Sequence, residues 1–287
     1  MRLYNDYLRQ KYGCKVYRVA LDAGFSCPNI ESGGCIYCNS KGSRASYINP
    51  GDSIRKQLQT RMQYLRDKKN AKKFIAYFQA HTNTYASVDK LKDTYDEAAG
   101  IDDIVGISIG TRPDTVDSEK LKLIASYKNR YEVWLEYGLQ SIHDKTLKLI
   151  NRGHTFDDFL KAVKLTKEFD IPVCVHVILG LPGETKEDMM ETARSLNASN
   201  IDGIKIHVLH VLKGSKLEEL YRKGKIKLLE QNEYVELVSE FLGNLSPDII
   251  VQRLTGQGSM EDHIAPLWAL DKAGTIGKIS ISSSRLL

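Results

Sequence analysis

Short apolar runs separated by connections of helical length most constrain the fold of this 287-residue chain. The run Val173–Leu179 is apolar at all positions but one, and comparable runs occupy residues 131–139 and 203–212. A strand that is apolar on both faces is typical of a parallel sheet covered on both sides, and parallel strands need long crossover connections. Strand and helix alternate about six times. We therefore predict an α/β fold, an open partial (β/α)6 barrel of the TIM-like kind.

Helix signals lie between these runs. Thr155 and Thr185 are placed to cap two helices, and the first of these helices carries an apolar stripe expected to face the core. The stripe consists of Phe156, Phe159, Leu160 and Val163. No linker or low-complexity stretch divides the chain, so we predict one barrel over residues 1–255 and a tail, residues 256–287, that packs on the barrel or extends it.

Three cysteines within twelve residues mark a loop at residues 22–45, directly after a strand predicted at residues 15–21. The pair Cys35 and Cys38 can present both sulfurs to one metal centre, while Gly33 and Gly34 let the loop curl back towards Cys27. A structural zinc site needs a fourth ligand, whereas a [4Fe–4S] cluster held by three cysteines keeps one iron open. Zinc bound with a remote histidine and three buried thiols are the alternatives.

Composition narrows the class of protein. Five cysteines, an odd number, do not form a disulfide framework, and the apolar surroundings of Cys174 predict a core position. The chain has no signal-like N-terminus and no run of about 18 apolar residues, so we expect a cytoplasmic protein without a membrane partner. A net charge of +5 permits an anionic partner without requiring one.

The cysteine loop and several later motifs resemble the radical S-adenosylmethionine (SAM) superfamily. The pattern Cys27-x7-Cys35-x2-Cys38, with Tyr37 before the last cysteine, is similar to that family's cluster loop, whose first gap is usually shorter. The later motifs, in the family's order, are residues 110–114, 138–141, 152–154 and 180–184. Taken together they are most similar to the YtqA/YhcC-type family, which is related to the radical SAM domain of the Elongator catalytic subunit.

The resemblance implies a [4Fe–4S] cluster on the three cysteines and SAM bound at the open iron. A backbone carbonyl near Tyr37 would accept a hydrogen bond from the adenine amino group, and Gln140 would bind the ribose or the methionyl group. Arg152, twelve residues after Gln140, offers a planar fork that matches the SAM carboxylate. His176 would lie near the ribose hydroxyls.

Two further sets of polar residues are candidates for the site. Residues 79–84 stand where many family members have Gly-Gly-Glu for the SAM amino group, so Asn83 and Thr84 become the candidates for that role. Lys205, His207 and His210 lie on or after a predicted strand and are candidates for substrate contact, a polar barrel mouth being the simpler explanation. No residue is assigned to relay the radical.

The resemblance also implies the chemistry. A reduced cluster, supplied by an electron donor such as flavodoxin or ferredoxin, would cleave SAM to a 5′-deoxyadenosyl radical that takes hydrogen from the substrate. The likeness to Elongator implies tRNA wobble uridine as the substrate. Only a short tail follows residue 255, so the acetyltransferase half of Elongator is not expected. We therefore expect a 5-carboxymethylaminomethyl side chain to lose its carboxymethyl portion, which leaves 5-aminomethyl-2-thiouridine for a separate tRNA methyltransferase.

Two other functions stay open at this point. One is a radical SAM enzyme that acts on a small metabolite or a protein, and the other is a non-catalytic, zinc-stabilised RNA-binding module. For a tRNA substrate, a basic stretch would be the first phosphate-contacting patch to test. Its members are Lys68, Lys69, Lys72 and Lys73.

Overall fold

Strands and helices alternate through nearly all of the computed structural model, which describes residues 1–256 and 260–284, with side chains to residue 280. The strands are β1 (Arg2–Leu3), β2 (Val16–Leu21), β3 (Lys73–Phe78), β4 (Ile104–Thr111), β5 (Glu132–Gln140), β6 (Val173–Leu179), β7 (Gly203–Val208), β8 (Val211–Leu212), β9 (Ile250–Arg253) and β10 (His263–Ala265). The helices are α1 (Tyr4–Tyr12), α2 (Ile54–Lys69), α3 (Val88–Asp96), α4 (Ser118–Ser126), α5 (Asp144–Leu149), α6 (Phe156–Lys167), α7 (Lys186–Asn197), α8 (Lys216–Arg222), α9 (Gln231–Gly243) and α10 (Lys272–Ser284).

Eight strands form one parallel sheet in the order β1-β9-β7-β6-β5-β4-β3-β2. β2 and β9 lie near opposite sides of this order, yet Arg18 of β2 donates a hydrogen bond to the side-chain oxygen of Gln252 of β9. The sheet must therefore curl so that its two sides approach each other. The predicted α/β partial barrel is confirmed, and all carboxyl ends of the parallel strands meet at one edge.

The core lies between the strands and the helices that cover them. Its largest aromatic members are fully buried, and the rings of Phe78 and Tyr95 meet edge to face with centroids 5.0 Å apart. Phe159 of α6 packs in the same way on Tyr137 of β5, with centroids 6.4 Å apart. Replacing such a residue by alanine typically costs about 3–5 kcal/mol. Cys174 is buried, as predicted.

Both predicted helix caps are confirmed. Thr155 and Thr185 each accept a hydrogen bond from the backbone of the third helical residue, whose carboxylate bonds back to the threonine. The apolar stripe of α6 was predicted one residue too wide, because Leu160 is 38% exposed while Phe159 and Val163 are buried. Two consecutive apolar positions span about 100°, and only one of this pair faces the sheet.

The run 203–212 is not one strand. β7 ends at Val208, and after a break Val211–Leu212 forms β8, which pairs antiparallel with β10 outside the main sheet. In the predicted tail, α10 is joined to α9 by a hydrogen bond of 2.9 Å from Gln231 to Thr275. Residues 257–259 and 285–287 of that tail lie outside the described residues. The boundary at residue 255 stays a prediction.

Helix α1 covers the amino-terminal end of the half-barrel. The Tyr4 ring meets Trp134 edge to face at 5.5 Å, and the Arg18 guanidinium lies 4.4 Å from the centre of the same ring. Lys11 forms an ion pair with Glu132. The opposite, carboxyl-terminal end is left to the loops. Among the described residues, none of the helices has the length and apolar character needed to cross a membrane.

Candidate functional site

A cavity of about 540 Å³ opens at the carboxyl edge of the sheet. Its roof is the cysteine loop that follows β2, and one wall is formed by the residues that follow and end β5, among them Gln140 and Arg152. The residues that we call the floor come from within five different strands, so they lie below the carboxyl edge. They are Tyr77, Glu136, His176, His207 and Arg253.

The roof loop is held by main-chain contacts to the β5–α6 connection. Asn151 donates to the carbonyl oxygens of Ser32 and Gly34 at 2.8 and 2.7 Å. Gly33 and Gly34 have positive φ of 85° and 70°, which glycine adopts without strain, so the chain doubles back between the cysteines as the sequence predicted. All three thiols consequently face the same cavity.

The environment of Cys35 favours its thiolate. A hydrogen bond with Cys38 lowers the pKa of Cys35 to about 5, and the charge of Arg152 lowers it as well, while burial acts in the opposite direction. The amide of Asn29 and the guanidinium of Arg152 lie 3.4 and 3.5 Å from the Cys35 sulfur. Because the thiolate is the form of cysteine that binds metal, Cys35 is suited to bind an iron of an iron–sulfur cluster.

The three thiols fit a cluster better than a single ion. Throughout residues 1–256 and 260–284, no three histidine, cysteine or acidic side chains form a group that could hold one metal ion. Cysteines of an iron–sulfur cluster each bind a different iron, so they stand farther apart than the ligands of one zinc ion. Cys27, Cys35 and Cys38 would hold such a cluster at the roof of the cavity.

Gly138, Gln140 and Arg152 form a compact group next to Cys35. Arg152 is buried and donates to the Gly138 carbonyl oxygen from Nε at 3.1 Å and from Nη2 at 2.7 Å. A Cβ at residue 138 would come within 2.8 Å of both Arg152 Nη2 and Gln140 Nε2, so glycine permits this approach. Tyr37, Gln140, Arg152 and His176 all line the cavity, where they would contact SAM.

Asn83 and Thr84 do not line the cavity. Asn83 is fully buried and donates to the carbonyl oxygens of Ala80 and Gly110 at 3.1 and 2.8 Å. Thr84 exchanges hydrogen bonds with two other threonine hydroxyls. Their side chains therefore brace the β3–α3 connection instead of facing a ligand. The neighbouring residues Gln79, His81 and Thr82 line the cavity in their place.

Glu136, on the floor, is the centre of a buried ionic group. It pairs with Lys205, accepts a hydrogen bond of 2.9 Å from His176 and lies 3.9 Å from Arg18. Burial opposes its ionisation, yet these neighbours hold the pKa of Glu136 well below its usual range. Burial, with the charge of Lys205, lowers the pKa of His176 to about 4, so this imidazole is neutral at pH 7. Burial lowers the pKa of Lys205 to about 7.

The three predicted substrate residues have different positions. Lys205 is 0% exposed and lies beneath the floor, 4.1 Å from the centre of the Tyr77 ring, so it cannot touch a ligand directly. His207 lines the cavity. His207 and His210 both line a smaller pocket of about 140 Å³ that shares Tyr37 and Gln140 with the main cavity. His210 reaches this pocket because β7 has already ended.

Sequence reasoning missed Glu136 and Arg253. Each is a charged residue within a strand of the parallel sheet, where charged side chains are rarely buried. A charged residue at such a position could have been recognised from the sequence as a candidate for the site. What the sequence lacked was the pairing register, in which Arg253 lies opposite Lys205 and Lys205 lies opposite His176.

Comparison with known proteins gives the family. Residues 26–196 match the radical SAM superfamily and residues 201–282 match the radical SAM C-terminal domain. The chain is 41% identical over 281 residues to the uncharacterized protein MJ0486 of Methanocaldococcus jannaschii, covering 96% of this chain and 87% of that protein. It is also 41% identical over 280 residues to the uncharacterized protein YtqA of Bacillus subtilis, with the same coverage of 96% and 87%.

A shorter stretch is similar to a tRNA-modifying enzyme. Over 142 residues the chain is 31% identical to the tRNA uridine(34) acetyltransferase of Methanocaldococcus infernus, which covers 47% of this chain and 25% of that enzyme. This match concerns one part of a much longer protein.

Two solved structures share the fold. Elp3 of Methanocaldococcus infernus, lacking residues 1–46, superposes with a TM-score of 0.61 at 20% identity, covering 91% of this chain and 63% of that one. Methylornithine synthase gives a TM-score of 0.55 at 12% identity, covering 98% and 93%. The superfamily match spans more than half of the chain and includes all three cysteines of the roof. The chain therefore belongs to the radical SAM superfamily, whose enzymes use a [4Fe–4S] cluster and SAM.

Proposed function

We propose that this radical SAM enzyme acts on the wobble uridine of tRNA and converts a 5-carboxymethylaminomethyl side chain to 5-aminomethyl. The observation that carries the proposal is the 142-residue similarity to a tRNA uridine(34) acetyltransferase. Hydrogen abstraction from the carbon next to the carboxylate would leave a carbon radical, and loss of a proton and of one electron to the oxidised form of the electron donor would form an imine. Hydrolysis of the imine by water would break the C–N bond, release the carboxymethyl portion as glyoxylate and leave the 5-aminomethyl group, on which a separate methyltransferase would act. Radical SAM enzymes need an external electron donor, and a flavodoxin or ferredoxin would serve here.

The residues around the cavity have distinct tasks in this proposal. Bound together, the cluster and SAM supply a 5′-deoxyadenosyl radical that can take hydrogen from carbon. Cys27, Cys35 and Cys38 would hold the cluster, and Gln140 and Arg152 would orient SAM beside it. The strand-borne floor would receive the uridine side chain. Enclosure between roof and floor keeps water from the reactive carbon.

Four exposed lysines, which we call the mouth lysines, flank the opening. They are Lys213, Lys216, Lys225 and Lys227. Lys216 lines the cavity itself, while Lys225 and Lys227 border the loop that follows β6 at the carboxyl edge. Within the part of the chain that the structure describes, none of the four forms a salt bridge. Exposed lysines at this edge favour a polyanionic substrate.

The basic stretch chosen from the sequence is in the wrong place for this task. Lys68 and Lys69 end α2, and Lys72 and Lys73 lead into β3, so all four lie at the amino-terminal edge of the sheet. The cavity opens at the opposite edge. The clustering of these lysines in the sequence could not show where they lie, because the edge of the sheet that they occupy depends on the direction of the strands. We call them the basal lysines.

Two measurements test the proposed function. In a strain lacking the gene, nucleoside mass spectrometry of tRNA should show accumulation of the carboxymethylaminomethyl nucleoside. Purified enzyme, reconstituted anaerobically with iron and sulfide, should convert that nucleoside in tRNA when SAM and a reductant are added. Replacing Cys35 with alanine should abolish conversion and bound iron, whereas Cys14→Ala, outside the roof, should retain both.

The outcomes separate the candidate functions. If tRNA is unchanged in both experiments while SAM is still cleaved, the tRNA proposal fails, and a small metabolite or a protein becomes the substrate to seek. Stoichiometric zinc without iron in anaerobically purified protein would instead favour the RNA-binding module.

A further inference from the structure

Among the residues that the structure describes, Arg253 is a cation without a partner on the cavity floor. It ends β9, is half-buried and lines the cavity. The other arginines of the cavity are engaged: Arg112 forms two bonds of 2.8 and 2.7 Å with Asp114, and Arg152 holds the Gly138 carbonyl. Within residues 1–256 and 260–284, the Arg253 guanidinium has neither a hydrogen bond nor a salt bridge. Five donors are thus free to bind a ligand.

The surroundings of Arg253 are short of negative charge. Arg18 and Lys205 are gathered around a single carboxylate, Glu136, which is already bound by Lys205 and His176. Arg253 lies opposite Lys205 in the strand register, so its charge acts on the same buried group. The field of Arg253 adds to burial in lowering the pKa of His207 well below its usual range. An anion bound beside Arg253 would offset this excess of positive charge.

His207 provides a second atom that is available to bind a ligand in the same cavity. Its Nε2 is buried and has no hydrogen-bond partner among the described residues. A buried polar atom without a partner is energetically unfavourable, and a hydrogen bond to a ligand would remove that cost. The ring is fixed on two sides: its centroid lies 5.2 Å from that of the His176 ring, tilted by 31°, and a Cβ at Gly256 would lie 2.5 Å from its Nδ1.

We propose that Arg253 and His207 form a carboxylate-binding site on the floor that selects the substrate. This inference rests on the proposed function, in which the uridine side chain ends in a carboxylate. The planar guanidinium would hold both carboxylate oxygens, and His207 Nε2 would contact one of them. The carbon next to the carboxylate would then lie between the floor and the roof cysteines. The product has lost this carboxylate, so it would leave more readily than the substrate.

The test compares three variants of the reconstituted holoenzyme. Arg253→Gln removes the charge, Arg253→Lys keeps it without the fork, and Arg194→Gln is the control, because Arg194 pairs with Glu187 on the exposed face of α7. We expect Arg253→Gln to raise KM for carboxymethylaminomethyl tRNA on the order of 10- to 100-fold, the loss typical of a charged hydrogen bond. Arg253→Lys should fall between this variant and the wild type. SAM affinity should change much less than KM for the tRNA, since Gln140 and Arg152, not Arg253, are predicted to orient SAM.

Three results would overturn the carboxylate site. An equal loss of SAM affinity would assign Arg253 to the SAM carboxylate. An equal loss of affinity for tRNA that already carries the 5-aminomethyl group would assign it to a phosphate. Unchanged KM in Arg253→Gln would show that it binds neither substrate group.

A small probe keeps this inference separate from the proposed function. N-methylglycine reproduces the end of the side chain, and its binding to wild-type holoenzyme can be followed by saturation-transfer NMR. Binding that is lost in Arg253→Gln, from an enzyme that leaves tRNA unchanged, would refute the tRNA function and support the site. If the wild type and the Arg253→Gln variant convert tRNA equally well, the tRNA function would be supported and the carboxylate site refuted. Absence of both tRNA conversion and N-methylglycine binding in the wild type would refute both.

Discussion

Gln140 shows how one strained residue can direct a functional group. It has φ of 79°, and the pairing of β5 with β6 shifts register between Gly138 and Gln140. A side-chain-bearing residue in this left-handed region costs about 1 kcal/mol relative to glycine. The irregularity ends the strand and leaves Gln140 lining both the main cavity and the smaller pocket. Strain of this kind is often found where a side chain serves a ligand.

Two substitutions at Gln140 separate strain from binding. Gln140→Gly relieves the backbone strain, while Gln140→Ala keeps it, so the glycine variant should be more stable by about 1 kcal/mol. Both remove the amide, so both should weaken SAM binding to the same extent, by roughly 1–2 kcal/mol. Urea unfolding and equilibrium SAM binding are the two measurements. SAM affinity that follows stability, and so differs between the two variants, would contradict a direct contact.

At this scale, the sequence could identify residues that belong to motifs but not those that depend on strand pairing. The three cysteines, Gln140 and Arg152 lie at the cavity because each follows a strand or ends one, which periodicity reveals. Their roles in binding stay predictions. Asn83 could not be placed, since its direction depends on a turn in which its amide bonds to two backbone carbonyls. Arg253 required the register of β9 against β7.

Among the elements, the segment after β8 determines the charge at the opening of the cavity. It begins at the cavity with Gly214 and Lys216, continues through α8 and carries the mouth lysines. Arg222 and Lys223 of the same segment are paired with glutamates one turn earlier, so they contribute less to the field at the opening. The element therefore presents free positive charge where a nucleic acid would approach.

Replacing the mouth lysines with neutral residues should lower the affinity for tRNA. It should also make that affinity less dependent on salt concentration. Each lysine that contacts phosphate contributes about 0.7–0.9 to the slope of log affinity against log salt concentration. Replacing all four with glutamine should therefore lower the slope by up to about 3.6, because up to four counterions are no longer released. Fluorescence anisotropy with labelled tRNA over a range of salt concentrations measures this.

The basal lysines provide a matched control for that experiment. Replacing Lys68, Lys69 and Lys72 with glutamine removes comparable charge from the amino-terminal edge. We expect a slope close to that of the wild type. If the basal variant loses as much binding as the mouth variant, the tRNA lies across the other end of the half-barrel, and the opening is not its docking site.

Element prediction succeeded where a local signal was complete. β6 was predicted with its observed bounds because its apolar run is continuous, and the caps at Thr155 and Thr185 are contained in four residues each. The division of residues 203–212 into β7 and β8 could not be predicted, since β8 exists only through its pairing with β10, some fifty residues later. Long-range pairing has no local signature.

Across the whole molecule, buried neutral histidines make the fold sensitive to acid. Burial is the largest cause that lowers the pKa of His154, His176 and His210 to about 4. In the unfolded chain these groups have a pKa near 6.5, so the unfolded state binds more protons between about pH 6.5 and 4. Stability must therefore fall as pH decreases through this range. A shift of this size corresponds to on the order of 3 kcal/mol per histidine at pH 4.

Urea unfolding at a series of pH values tests this. The free energy of unfolding should be nearly constant from pH 8 to 7 with respect to these histidines and should decrease increasingly steeply below about 6.5. His210→Gln removes one titrating group and should make the acid slope shallower by about one proton's contribution, close to 1.4 kcal/mol per pH unit. A stability that is flat between pH 7 and 5, or an unchanged slope in the variant, would show that these imidazoles are protonated in the fold.

The side-chain bond between Arg18 and Gln252 has a mechanical consequence. In a closed barrel, a change in circumference must break main-chain hydrogen bonds, but β2 has only one strand neighbour, β3, and its other side meets β9 through these two side chains. Flexible side chains can span a longer distance by changing rotamer. The circumference of the half-barrel can therefore change at a small cost in free energy. Arg18 also lies 3.9 Å from Glu136. Any ligand that widens the opening would thus displace Arg18, the same arginine that lies next to the Glu136 carboxylate on the floor.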